Sequence, residues 1–185
     1  MDYRANKGLS RKSIRFIAYI IRQEYNIKTI KLPVLKLLEW TVSRHSSNLF
    51  YEVNEDEYFE EGVQAYCEPI NGNYEDCCIH IRESVYNKAL KDDGSALGII
   101  THELCHYYLI FILGIKPDFR YNYQSKDEEI KPYLSIEWQA KALCGELMIP
   151  YEKCKNKTLN QIMYITKSSK MQTENFLKRV RKGNN

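Results

Sequence analysis

The stretch Gly94–Leu113 constrains the fold of this chain more than any other part of it. Ala96, Leu97, Ile99, Ile100 and Leu104, followed by Tyr108, Leu109, Ile110, Phe111 and Leu113, leave little polar surface. The pattern predicts a mostly buried helix, capped by Asp92 or Asp93 and stopped at Gly114, with Pro117 just beyond. A helix this apolar belongs in a core, where an unpartnered polar or charged group costs on the order of several kcal/mol. Yet it carries His102, Glu103 and His106, which spell H-E-x-x-H. Histidines four residues apart lie about 40° apart around a helix, so both reach one metal ion from the same face. Glu103 then stands where it can act as general base toward a water held at that ion. The motif fixes only three positions, and an amphipathic helix whose polar residues happen to spell it is the competing reading.

A zinc centre of this kind needs a third protein ligand and an open fourth position. Ser135 to Pro150 reads as a second helix, opened by Ser135 and ended by Pro150. At about 100° per residue, Ala140, Cys144 and Met148 fall within about 60° of Glu137, whereas Glu146 points about 180° away. Glu137 is therefore the acid on the small, apolar face, where Ala140 permits close approach of another helix. It is the expected third ligand, the alternative being an ordinary buried or paired carboxylate. Glu146 is expected to face solvent or to make a surface ion pair. Asp127, Glu128 and Glu129 fall in a polar loop and read as solvated.

These two segments, His102-Glu103-Leu104-Cys105-His106 and Glu137-Trp138-Gln139-Ala140 ending in Leu147-Met148-Ile149-Pro150, together resemble the ImmA/IrrE family of zinc metallopeptidases. The run from Ile79 to Tyr86 is similar to that family's strand leading into a short helix, and a helix over Leu9–Tyr25 is also common there. The resemblance spans about Leu9 to Pro150, with its specificity in the two helical motifs. Cys105 departs from it, since members usually carry glycine before the second histidine; a small buried packing role is expected for the thiol. The resemblance implies a gluzincin-like centre of one zinc ion on His102, His106 and Glu137, with Glu103 as catalytic base. It also implies a protein substrate, a helix-turn-helix transcriptional repressor of the type found in prophages and mobile elements, cut at one bond to relieve repression. Two other readings stay open: a catalytically silent peptidase fold that grips a regulator, and a zinc hydrolase of a non-peptide substrate. For the oxyanion, Tyr107, Tyr108, Tyr121, Tyr123 and Tyr133 are candidates, and the sequence does not choose among them.

The net charge of +3 is too small to imply nucleic-acid binding, and the basic run Lys178–Lys182 reads as a solvated helix end. Six cysteines in 185 residues do not make a disulfide scaffold and fit a reducing cytoplasm. Ile14–Ile21 is broken by Arg15, and the apolar run Tyr107–Ile115 is about half a bilayer span, so no membrane or secretion segment is expected. Helices are predicted over Ser10–Tyr25, from Pro33 through Trp40, and over Leu159–Thr166 and Thr173–Lys182. Short strands are predicted near Leu49–Val53, Val63–Cys67 and Cys77–Arg82, with Asn71-Gly72-Asn73 as a turn. Alternation puts Cys77, Ile79 and Ile81 on one face of the last strand and Cys78, His80 and Arg82 on the other. If that strand forms a sheet edge above the cleft, a substrate can add to it as a further strand. A second metal site built from Cys67, Cys77, Cys78 and His80 is conceivable. His45 reads as a surface or capping histidine. The expected architecture is α+β: a zincin-like metallopeptidase domain over residues 1–150, with a small β-sheet and an active-site helix packed by further helices. A helical appendage over 151–185 is expected to pack on the same domain.

Overall fold

The computed structural model describes residues 2–45, 47–70, 76–118 and 129–183. Among these the chain is α+β, with eight α-helices and one three-stranded mixed sheet. Helices α1 (Arg11–Glu24) and α2 (Val34–Arg44) precede strand β1 (Leu49–Asn54). Strands β2 (Ala65–Pro69) and β3 (Cys77–Arg82) follow, and β3 runs directly into α3 (Glu83–Leu90). Next come α4 (Gly94–Tyr107), α5 (Ile136–Met148), the short α6 (Tyr151–Cys154), α7 (Leu159–Thr166) and α8 (Lys170–Arg181). The expected turn at Asn71-Gly72-Asn73, together with Tyr121, Tyr123, Asp127 and Glu128, lies outside the described residues.

Local chemistry sets the ends of the helices. Ser10, Asp93 and Ser135 each accept a backbone N–H in the first turn of α1, α4 and α5. Of the two aspartates considered for α4, Asp93 is the cap, and Asp92 instead takes a left-handed φ and pairs with Lys31. Reciprocal capping boxes, Thr158 with Gln161 and Ser169 with Gln172, start α7 and α8. The second box is why α8 begins at Lys170, three residues ahead of the expected Thr173. After Tyr107 the α4 helix widens into a π-helical turn over Tyr108–Ile112, and Gly114, at φ +65°, ends it.

The sheet order is β1-β3-β2, with β1 parallel and β2 antiparallel to β3. Strand β3 is therefore central, so the condition for strand addition to it, that it form the sheet edge above the cleft, is not met. Its apolar inner residues Cys77, Ile79 and Ile81 are fully buried, so it is covered as a central strand must be. One core runs from Ala5 to Phe176, so residues beyond 150 share it with the rest. Gly94–Ile112 is the one helical stretch among the described residues long and apolar enough to cross a membrane, and 67% of it is buried inside the protein.

Helix α5 lies between two partners. Its Cys144 thiol reaches the Gly98 carbonyl of α4 at 3.5 Å, and Thr101 of α4 donates to the Met148 sulfur at 3.4 Å. The opposite face packs on α1, which corrects the expectation for Glu146. That carboxylate is only 2% exposed and pairs with Arg15 at 3.1 Å and with Arg11 at 4.0 Å. Glu146 does point away from Glu137, but that side of α5 is covered by α1 rather than by water. Arg22, also buried, donates to the carbonyls of Leu147, Thr29 and Ile30 and so finishes the C-terminal turn of α5. At the other end the N-terminal segment holds α5 in place. Ile136 N–H donates to Tyr3 O, and Asp2 accepts from the Ser135 hydroxyl and the Glu137 N–H.

Candidate metal centre

Helices α4 and α5 bring His102, His106 and Glu137 together. The two Nε2 atoms are 3.2 Å apart, and the Glu137 oxygens lie 3.4 Å from His102 Nε2 and 3.1 Å from His106 Nε2. A tetrahedral ion with bonds of about 2.0–2.1 Å needs its ligand atoms about 3.3–3.4 Å apart. Each histidine nitrogen is that far from one of the two Glu137 oxygens, one atom from each residue lies within 4.8 Å of the others, and the donor set of two imidazoles and a carboxylate suits zinc. The residues present fit the ion.

The rings meet nearly edge to face, 4.6 Å between centroids, so each turns its Nε2 to the shared point. Without a metal, hydrogen bonds from both histidines hold the Glu137 carboxyl well below the usual carboxylate range, against the opposing effect of burial. A metal replaces those protons at the same atoms. Lys141, one turn on from Glu137, lies 3.4 Å from it and shares its charge.

Glu103 stands beside these three residues and is almost wholly buried. Burial pushes its carboxyl up to about 7; His102 opposes the rise, Glu137 adds to it, and a hydrogen bond from the Cys67 N–H again opposes it. Cys105 is fully buried and burial raises its thiol well above the ordinary range, as a packing role requires. Tyr107 stacks on Phe111 and meets His45 edge-on, while the Tyr108 hydroxyl hydrogen-bonds with that of Thr41 at 2.7 Å. Tyr133 packs against Gly8. Among the described residues no tyrosine lines the cleft.

That cleft, about 970 Å³, runs over His102 and Glu103 between β2 and α8. Its β2 wall is the true sheet edge on this side. The register pairs Gln64, Tyr66 and Glu68 with β3 through their main-chain groups, which leaves those of Ala65 and Cys67 facing outward. The Cys67 N–H is taken by Glu103, and Ala65 lines the cleft. Arg11, Lys141, Lys178, Arg179 and Lys182 also line it, and among the described lining residues Glu103 is the one carboxylate. Sequence reasoning missed these contributions. The Glu137–Lys141 spacing of four was a visible signal for one of them, but nothing in the chain marks the Cys67 amide or the approach of α8.

The four-residue metal site considered from Cys67, Cys77, Cys78 and His80 does not form. Cys67 and Cys77 meet on the inner face, 3.6 Å between sulfurs, whereas Cys78 and His80 lie on the outer face. No family model, curated protein or solved structure matches this chain.

Proposed function

We infer that the protein is a zinc metallopeptidase with a zincin-like domain, of the ImmA/IrrE kind, acting in the cytoplasm on one peptide bond of a helix-turn-helix repressor. The observation that carries the metallopeptidase reading is the convergence of His102, His106 and the two oxygens of Glu137, 3.1–3.4 Å between neighbouring atoms, with a buried Glu103 beside them. The repressor as substrate follows from the likeness of the two helical motifs to that family.

Zinc bound there supplies Lewis acidity toward the scissile carbonyl and acidifies water toward a pKa of about 7. The protein's own residues do the rest. Glu103, buried beside the three ligands, is placed to exchange a proton with the attacking water. It takes one from the attacking water and returns it to the leaving amine. The Cys67 N–H fixes its orientation, so β2 and the base are held in register. An extended substrate segment can add to the outward-facing main chain at Ala65 and pass directly over Glu103. The basic rim favours segments bearing acidic side chains and disfavours basic ones.

The test is co-expression with regulators encoded beside this gene, reading new N-termini by mass spectrometry. A new terminus made by the wild type and absent with Glu103→Ala supports the assignment. No cleavage of any such regulator by zinc-loaded protein overturns it.

A further inference from the structure

The outer face of the sheet, away from the cleft, gathers a second set of metal-binding side chains. Cys78 and His80 are two residues apart on β3 and so point the same way. Cross-strand pairing sets Glu52 of β1 opposite His80, and Glu68 of β2 opposite Cys78. One donor atom from each of Glu52, Cys78 and His80 lies within 4.8 Å of the others. Glu52 Oε2 is 3.6 Å from His80 Nδ1, and Asn54 Oδ1 is 3.4 Å from the same nitrogen. On the far side of the ring, Glu68 Oε1 is 3.2 Å from Nε2. Tyr66 stacks on the imidazole, 4.7 Å between centroids, and fixes its plane.

We propose that this face is a second divalent-metal site, distinct from the helical centre and containing sulfur: Cys78 Sγ, His80 Nδ1 and a Glu52 oxygen as ligands, with Glu68 orienting His80 through Nε2. A thiolate, an imidazole and a carboxylate together select zinc or cobalt over magnesium or calcium. A carboxylate on the second nitrogen of a ligating histidine is the usual means of fixing its tautomer. Tetrahedral ligation needs donors about 3.3–3.8 Å apart for bonds of about 2.0–2.3 Å. The Glu52–His80 pair already meets this, both distances to Cys78 Sγ are within 4.8 Å, and the Glu52 side chain, more than half exposed, is free to turn toward the ion. Cys78 and His80 are both buried on a central strand, so the sulfur and nitrogen are rigidly placed. The hollow above them, about 630 Å³, has two carboxylates and no lysine or arginine among its described lining residues. A cation is the ligand that balances it. As the metal binds, Cys78 releases its thiol proton to solvent and the sulfur lone pair forms the new bond.

Cobalt distinguishes this site from the helical centre, which has no sulfur. Reduced, metal-stripped full-length protein is titrated anaerobically with Co²⁺ and followed by absorption. A thiolate-to-cobalt charge-transfer band in the near ultraviolet, saturating by two equivalents in the wild type and by one in Glu137→Ala, is expected. Cys78→Ser abolishes it, Cys67→Ser leaves it unchanged, and Glu52→Gln, at an exposed position that does not endanger the fold, weakens the cobalt affinity read from it at least about tenfold. Glu137→Ala leaves the band intact, so failure at one site is not confused with failure at the other. No such band at saturating Co²⁺, or a band that survives Cys78→Ser, overturns the proposal.

Discussion

Burying the carboxylate of Glu103 costs the metal-free protein stability, and replacing it with glutamine should return that stability in a pH-dependent way. The native carboxyl sits at about 7 against an ordinary 4.5, chiefly because it is buried. Between these values the folded chain holds a proton that the unfolded chain has lost, so stability falls as pH rises through that window. Below 4.5 both states are protonated and there is no penalty; above 7 both are ionised and the penalty is complete. The displacement corresponds to about 3 kcal/mol at pH 8. Glu103→Gln keeps the shape and an acceptor for the Cys67 N–H but never ionises. Urea denaturation in the presence of a chelator, at pH 5, 6, 7 and 8, reads the difference directly. The variant should exceed the wild type by only about 1 kcal/mol at pH 5 and by about 3 kcal/mol at pH 8, while losing proteolytic activity. Such an exchange of stability for chemistry is common at active sites. A variant no more stable than the wild type at pH 8, or a difference that does not change with pH, would refute the reasoning.

Two further outcomes follow from the packing. Glu146→Ala removes a buried carboxylate from Arg15 and Arg11 but leaves two partly exposed guanidiniums that can reach water. It should therefore cost about 2–3 kcal/mol in urea denaturation, short of the 3–5 expected when a fully buried charge is stranded; no loss would mean that α1 does not cover this face. Ala65→Pro removes an outward-facing N–H at the β2 edge without breaking a bond to β3. Substrate cleavage should weaken while fold and zinc content persist, and unchanged cleavage would exclude strand addition there.

What was legible in the sequence was what local chemistry dictates. The buried α4 helix, the shared face of its H-E-x-x-H histidines and the phase of Glu137 on α5 all follow from helical periodicity and capping residues. Strand ends near Leu49, Cys77 and Arg82 were visible from two-residue alternation and from the turn residues that flank the strands. What stayed hidden depends on tertiary neighbours. Periodicity gave the angle of Glu146 but not the helix that lies over it. Alternation sorted the two faces of β3, yet strand order is set by long-range pairing, and the Asn54 and Arg82 ends look no different for a central strand than for an edge. The N-terminal strap at Asp2 and Tyr3, which holds the first turn of α5 and so Glu137, has no local signal at all.

The most direct test of the central claim is the zinc content of the purified protein in the Cys78→Ser background, beside Cys78→Ser with Glu137→Ala, by elemental analysis after loading under reducing conditions. About one zinc per chain is expected in the first and a large loss in the second, with both folded by circular dichroism. No zinc in the first, or an equal amount in both, would contradict a centre built from His102, His106 and Glu137.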